Sequence, residues 1–254
     1  MRFLPGLMLL LPLASPFVQA ELIDDVNDRG ELRIALEADL PPFSFKQDGR
    51  LTGFDVELGE LLAKELEVTP SILITDSNDL LPGVESGKYD VAINHIALTP
   101  ELQDRFDFSE PYSYTAAQLI VRQEEQRSLN TPGTLKGQLL GVAQGSQFVE
   151  QVRTGQAGEV HSYPDAHQSL VALVNKQLDA AVSDRLLTPY AIRDSRLPVK
   201  EGATMGPVVA LAIPFQKGNP AFQTSLDNAL QRIKADGRLK ALSQKWFGLD
   251  ATKP

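Results

Sequence analysis

The chain has 254 residues, with 24 basic and 33 acidic side chains, a net charge of −9 and no cysteine. An acidic chain of this kind is a poor partner for nucleic acid or for an anionic membrane surface. The lack of cysteine excludes disulfides, thiolate metal sites and a cysteine nucleophile. The three histidines are dispersed without metal-ligand spacing, so we expect neither a metal nor another cofactor.

The first twenty residues are typical of a secretory signal peptide. Met1-Arg2 precedes an apolar stretch over residues 3–13, and Val18-Gln19-Ala20 supplies the small residues at positions −3 and −1 of a cleavage site. The apolar stretch is shorter than the roughly 20 residues that cross a bilayer. We therefore expect cleavage after Ala20 and a mature chain in the periplasm.

Short apolar runs alternate with segments of helical period in the first part of the mature chain. Residues 32–36 and 71–74 predict strands, and the apolar residues between 54 and 66 fall at helical spacing. A strand, a helix and a second strand in this order indicate a parallel sheet. A further strand is predicted at 89–93, and Thr99 with Pro100 predicts the start of a short helix.

A second series of strands and helices follows. Strands are predicted at 140–143 and 179–182, and helices after Ser146, over 170–178, over 221–234 and over 239–246. The apolar runs at 116–121 and 208–213 are candidates for strands that connect the two series. Two α/β units of similar size predict an α/β protein with two lobes.

Several segments, taken in order, resemble one known family. They are residues 30–34, Pro-Pro-Phe-Ser-Phe at 41–45, residues 51–56, 89–94, 106–112 and 236–239, and Lys-Trp-Phe-Gly at 245–248. Together they resemble solute-binding protein family 3, the periplasmic receptors of polar amino-acid ABC importers. Segment 41–45, Ile93-Asn94 and Ser183-Asp184-Arg185 look closest to the cystine-binding branch.

The resemblance implies a type II periplasmic-binding-protein fold with two lobes joined by two hinge strands. Lobe 1 would comprise residues 21–115 and 209–254, and lobe 2 residues 116–208. A ligand would be clamped between the lobes, and the closed form of a monomer would dock on an ABC permease in the inner membrane.

The family's ligand contacts carry over unevenly. The aspartate that takes the ligand's ammonium group corresponds to Asp184. The bidentate arginine that binds the ligand's carboxylate corresponds to Leu102, the stacking aromatic residue to Leu40, and a hydroxyl residue to Ala97.

Other positions keep polar side chains. A loop contact of the second lobe falls at Ser146 and Gln147. Asn94 and His95 follow a strand at its carboxyl end, where open α/β sheets gather ligands. Thr99 is expected to cap a helix and is a candidate contact as well.

The loss of the arginine bears on the ligand, because a buried bidentate ion pair contributes several kcal/mol. One hypothesis is a ligand that lacks an α-carboxylate, or holds it differently, with more apolar bulk near Leu40 and Leu102. The alternative is that Arg105, three residues after Leu102, reaches the same helix face and replaces the missing guanidinium.

The leading interpretation is therefore a binding protein for an amino acid, a cystine-like molecule or a small polar amine, and not an enzyme. One alternative is a sensory or accessory protein that kept the fold but changed its ligand. A less favoured alternative is an enzyme like cyclohexadienyl dehydratase. Its substrates are carboxylates, and Leu102 in place of arginine argues against it.

Overall fold

The computed structural model describes residues 21–154 and 159–254, and the leader predicted at residues 1–20 lies outside them. Their helices are α1 (Leu22–Arg29), α2 (Phe54–Glu65), α3 (Ser77–Glu85), α4 (Pro100–Gln103), α5 (Pro132–Leu135), α6 (Val149–Thr154), α7 (Ala166–Val174), α8 (Thr188–Ser195), α9 (Pro220–Ala235) and α10 (Arg238–Phe247). Their strands are β1 (Glu31–Leu36), β2 (Asp39–Leu40), β3 (Ser44–Gln47), β4 (Arg50–Thr52), β5 (Thr69–Ile74), β6 (Val91–Ala92), β7 (Phe106–Phe108), β8 (Ser113–Arg122), β9 (Leu139–Ala143), β10 (Glu159–Tyr163), β11 (Ala180–Asp184), β12 (Val199–Leu211) and β13 (Pro214–Gln216). Within these residues no helix combines the length and the apolar character that a membrane crossing requires.

Two five-stranded sheets share one pattern. The first has the order β5-β1-β6-β13-β7, in which β5, β1 and β6 are parallel and β13 is antiparallel to both of its neighbours. The second has the order β10-β9-β11-β8-β12, in which β10, β9 and β11 are parallel and β8 is antiparallel to both of its neighbours. Helices connect the parallel strands, so the predicted α/β class is confirmed.

The chain passes between the two sheets twice, through β8 and β12. These strands pair antiparallel from Ser113 opposite Leu211 to Arg122 opposite Val199, with two register shifts along β12. β8 follows β7 of the first sheet, and β12 precedes β13 of the first sheet. The apolar runs predicted to connect the lobes overlap these strands, and the connection through two strands is confirmed.

Each sheet has its own apolar core. The first sheet packs with α2 and α9 through buried residues such as Ile34, Leu58 and Phe222, and the second packs around Val142 and Phe148. Leu186 is an exception, because it follows β11 of the second sheet yet lies fully buried in the cluster of the first. This side chain fixes the end of β11 at the junction of the two lobes.

The short elements differ most from the sequence-based expectations. The strand predicted at 89–93 is only two residues long, Val91–Ala92. The small sheet β2-β3-β4 was not predicted, because strands of two to four residues are too short to show a period. The predicted start at Thr99 is confirmed, since its Oγ1 accepts the amide hydrogen of Leu102 in the first turn of α4.

A buried carboxylate at the start of α2 positions the loop that follows β6. Asp55 is fully buried, and its Oδ2 accepts the backbone N–H of His95 at 3.2 Å. Its Oδ1 has no hydrogen-bond partner among the described residues. Burial raises the pKa of the Asp55 carboxyl to about 7 from an ordinary value of 3.8, although the charge and the N–H of His95 act in the opposite direction.

We expect Asp55→Asn to change how stability depends on pH. Because the folded pKa lies above the unfolded one, the contribution of Asp55 is present below about pH 4 and is lost as the pH rises through 7, by roughly 4 kcal/mol. The free energy of unfolding of the variant, measured in urea across this range, should lack that loss. Asp48→Asn, on an exposed turn, should follow the wild type. Parallel curves for the wild type and Asp55→Asn would contradict the assignment.

Candidate functional site between the lobes

Asp184 lies at the carboxyl end of β11, at the junction of the lobes. Its Oδ1 accepts the hydroxyl hydrogen of Thr115 at 2.6 Å and the backbone N–H of Leu186 at 2.7 Å. Its Oδ2 accepts the side-chain amide of Gln147 at 3.3 Å and lies 3.1 Å from Nε2 of His95. The carboxylate is therefore held by the connecting strand β8, by its own turn, by a lobe 2 loop and by lobe 1.

The pKa of Asp184 follows from these contacts. Burial alone would raise it, since only 4% of the residue is exposed. The contact with His95, the hydroxyl of Thr115 and the N–H of Leu186 outweigh burial and hold the pKa below its ordinary value. Asp184 is therefore a charged carboxylate at neutral pH, and it is the anion that the lobe junction presents to a cation.

His95 faces Asp184 from lobe 1, at the end of β6. Its backbone is left-handed, with φ of 52°, a conformation uncommon for a residue other than glycine. The N–H bond to Asp55 fixes the backbone, and the ring lies against Phe43 with centroids 4.3 Å apart. The imidazole is thus held in place on the lobe 1 side, and its Nε2 lies within ion-pair distance of Asp184 without the alignment of a hydrogen bond.

Asn94 ties the ends of two parallel strands together. Its Oδ1 accepts the backbone N–H of Glu37 at 2.9 Å, and its Nδ2 donates to Oε2 of Glu37 at 2.7 Å. Glu37 follows β1, so this pair joins the carboxyl ends of β1 and β6. The polar atoms of Asn94 that could contact a ligand are engaged by Glu37 in this structure.

The positions that would hold the ligand's carboxylate are apolar or engaged in packing. Ala97 forms an isolated bridge with Leu211, and Thr99 caps α4. Leu102 is half-buried and packs against the apolar cluster that contains Phe106 and Phe108. Leu102 thus supplies packing of lobe 1 at the position that the resemblance equates with the family's arginine.

Arg105 does not take the place of that guanidinium here. Its Nη2 lies 2.7 Å from Oε2 of Glu85, and both side chains are about half exposed, at 45% and 50%. Its Cζ also lies 5.2 Å from the ring centroid of Phe106. This ion pair holds Arg105 on the surface of lobe 1, away from the contacts of Asp184.

The two loop residues predicted in lobe 2 have different roles. Ser146 Oγ accepts the backbone N–H of Phe148 at 3.3 Å, just before α6. Gln147 is exposed and reaches Asp184 through its side-chain amide. The structure thus brings Gln147, His95 and Asp184 together. Ser146 precedes Gln147 in the chain, and its hydroxyl is engaged in a local turn.

Leu40 lines a cavity of about 240 Å³ between the lobes. Lobe 1 contributes Leu40 and Pro41 to its wall, and lobe 2 contributes residues of α7, α8 and the end of β11. Those residues are Ala166, His167, Leu170, Ser183, Leu187, Tyr190, Ala191, Asp194 and Ser195. The wall is largely apolar, and Ser183 of β11 contributes to it, whereas the next residue, Asp184, does not.

Sequence reasoning missed three residues of the site. Thr115 lies within an apolar strand, and its hydroxyl showed no pattern of its own. Asp55 carried a signal, since a carboxylate within the apolar period of a helix predicts a buried polar contact. Glu37 directly follows a predicted strand of a parallel sheet, and that position alone made it a candidate.

The comparisons with known proteins agree with this architecture. The profile of the bacterial extracellular solute-binding proteins, family 3, matches residues 32–249. The L-cystine-binding protein TcyJ of Escherichia coli is 33% identical, over 93% of this chain and 90% of that protein. The L-arginine-binding protein of Pseudomonas aeruginosa is 30% identical, over 86% of this chain and 88% of that protein.

A solved structure agrees as well. The L-cystine solute receptor of Neisseria gonorrhoeae, in its unliganded open conformation, superposes with a TM-score of 0.80 at 27% identity, over 93% of this chain and 100% of that one. The predicted two-lobed periplasmic-binding-protein fold and the likeness to the cystine-binding branch are thus confirmed. The chain belongs to the bacterial extracellular solute-binding proteins, family 3.

Proposed function

We propose that this protein is the receptor of an ABC importer and that it binds an amino acid or a related small polar amine between its lobes. The observation that carries the proposal is the buried, charged carboxylate of Asp184 at the lobe junction. A buried anion that lies between two lobes is suited to a ligand ammonium, because a charge-assisted hydrogen bond is about twice as strong as a neutral one.

Binding without turnover is the role that the relatives support. The named relatives are binding proteins, for L-cystine and for L-arginine. The two-strand connection suits a receptor that closes by hinge motion and then docks on a permease. We further propose export to the periplasm with cleavage after Ala20, which the family's extracellular description supports.

The two lobes are proposed to divide the chain as the two sheets do. Lobe 1 comprises residues 21–115 and 209–254, and lobe 2 comprises residues 116–208. Two changes of sheet along the chain support this division. The chain leaves the first sheet between β7 and β8, and it returns to the first sheet between β12 and β13. Each lobe also has its own apolar core.

The ligand's α-carboxylate is proposed to be dispensable. Leu102 packs in an apolar cluster and Arg105 pairs with Glu85, so neither position offers a guanidinium to a carboxylate. The interlobe cavity, whose wall includes Ser183 but not Asp184, is lined by Leu40, Leu187 and Tyr190, which fit an apolar body. A carboxylate buried beside such groups without donors would cost several kcal/mol.

Two pairs of compounds test the proposal, because the members of each pair differ only in their α-carboxylates, one in the first pair and two in the second. L-Arginine is compared with agmatine, and L-cystine with cystamine, by thermal shift and calorimetry. We expect the amine of a pair to bind at least as tightly as the amino acid. At 100 times its dissociation constant a ligand adds about 2.7 kcal/mol of stability, enough to raise Tm by several degrees. A clear preference for the amino acid would contradict the carboxylate argument.

Asp184→Asn should weaken binding of any of these compounds by about 30-fold or more, because it removes the charge that the ammonium contacts. Asp28→Asn, on the exposed face of α1, is the matched control and should bind as the wild type does. Circular dichroism verifies that the variants are folded. Undiminished binding by a folded Asp184→Asn protein would show that the ligand is anchored elsewhere.

Leu102→Arg restores the residue that the family uses. We expect it to leave agmatine and cystamine binding no tighter, since these compounds have no carboxylate to bridge. Leu102→Met conserves the side-chain volume and controls for disturbed packing in lobe 1. A gain of tenfold or more for L-arginine or L-cystine in Leu102→Arg, with no gain in Leu102→Met, would indicate an ordinary amino-acid pocket that lacks only its guanidinium.

A further inference from the structure

The side chain of His95 occupies the free side of Asp184 in the ligand-free protein. Nε2 of His95 lies 3.1 Å from Oδ2 of Asp184, and the two side chains are 12% and 3% exposed. His95 belongs to lobe 1 and Asp184 to lobe 2, so the contact crosses the lobe junction.

The oxygen that His95 faces is the one that a ligand would need. Oδ1 of Asp184 already accepts two hydrogen bonds, from Thr115 and from the N–H of Leu186. Oδ2 has the longer contact with Gln147, whose side chain is exposed and can move away. A ligand ammonium and the imidazole of His95 would therefore compete for the same atom.

Lobe 1 holds His95 in position for this contact through an unfavourable backbone conformation and a buried carboxylate. Its left-handed backbone, its N–H bond to the fully buried Asp55 and the Phe43 ring all fix the imidazole before any ligand arrives. A flexible surface histidine would lose this placement on a fast timescale. The position is therefore built into the fold and does not depend on a ligand.

We propose that His95 is a specificity-determining residue that acts as a tethered competitor for the ammonium site of Asp184. The inference rests on the proposed function, in that it takes Asp184 as the ligand's anchor. A ligand binds only when its ammonium displaces the imidazole. The site therefore rejects weak cations, and it binds least well when the imidazole is protonated.

The competition makes binding depend on pH. Histidine changes charge between about pH 5 and 8, and the imidazolium is the stronger competitor for a carboxylate. The charged groups that face it are Asp184 from β11 and Asp55 from α2, with Glu37 beside them through Asn94. Asp55, with its pKa of about 7, gains its negative charge as the pH rises over the same range, so the effect of His95 is isolated by comparing proteins that all retain Asp55.

The first measurement needs no ligand. The chain has no native cysteine, so cysteines introduced at the exposed residues Lys64 of lobe 1 and Gln177 of lobe 2 can carry spin labels for distance measurement. We expect a narrow interlobe distribution at about pH 5.5 that broadens at about pH 8.5, and a broad one at both values in His95→Gln. Identical distributions in all samples would overturn the claim that the pair joins the lobes.

The second measurement is calorimetric titration of agmatine and cystamine into the wild type and His95→Gln. We expect the variant to bind more tightly by about tenfold or more at about pH 5.5, and wild-type affinity to rise by up to about tenfold per pH unit with release of a proton. Weaker binding by His95→Gln would overturn the proposal, since His95 would then help to hold the ligand, for example by accepting a hydrogen bond from its ammonium.

Controls separate the possible failures. His161→Gln removes an exposed histidine that also pairs with a carboxylate, at 3.2 Å from Glu159, and should change neither measurement. His95→Asn repeats the test with a residue that tolerates left-handed backbone, in case His95→Gln does not fold. If neither the wild type nor His95→Gln binds any probe, the proposed function fails, and so does the proposal that His95 competes with a ligand for Asp184.

In that case the distance measurement still decides whether the contact between His95 and Asp184 joins the lobes.

Discussion

The structure of the lobe junction depends on the burial of one carboxylate, that of Asp184. A buried charge is tolerated only when hydrogen bonds replace its water, and here they come from Thr115, Leu186 and Gln147. Thr115 and Leu186 stay with Asp184 in any lobe movement, because β8 pairs with β11 and Leu186 belongs to the same turn. The partners that can change are His95, across the junction, and the exposed side chain of Gln147. The carboxylate is therefore oriented in advance, and the free energy of binding depends on what occupies its remaining side.

On the lobe 1 side of the junction, buried polar groups hold the backbone around His95 in a fixed and unfavourable conformation. Asn94 joins the ends of β1 and β6 through Glu37, and Asp55 holds the left-handed turn at His95. The raised pKa of Asp55 shows what this arrangement costs, since a fully buried carboxyl with one unpaired oxygen opposes folding once it is charged. Strained backbone and buried polar groups of this kind concentrate at functional sites, where stability is given up for a fixed geometry. The left-handed backbone of His95 and the unpaired oxygen of Asp55 meet at one turn after β6, and this turn borders the lobe junction.

The sequence predicted what local periodicity and caps encode. The strands at 32–36 and 140–143, the helix from Phe54 and the cap at Thr99 all appear in the structure, and Asp184 ends β11 as the resemblance implied. Contacts between distant parts of the chain could not be predicted in this way. His95 and Asp184 are brought together only by the apposition of the lobes, and Arg105 meets Glu85 through the packing of α3 on the first sheet. The resemblance equated Leu102 with the family's arginine, but only the structure shows that this partly buried leucine packs against the core of lobe 1.

The charges around Asp184 favour one class of ligand over another. Exchanging the imidazolium of His95 for a ligand ammonium leaves the number of charges at the junction unchanged, so it adds no unpaired charge in a low-dielectric place. A zwitterionic amino acid adds a carboxylate as well. That group would lie toward Ala97 and Leu102, where Thr99 is committed to the cap of α4 and the nearest arginine along the chain is paired with Glu85. An unpaired buried anion costs more than the ammonium contact gains. On the proposed function, Leu102 at the position that the resemblance equates with an arginine and His95 beside Asp184 would together select for cations without a carboxylate.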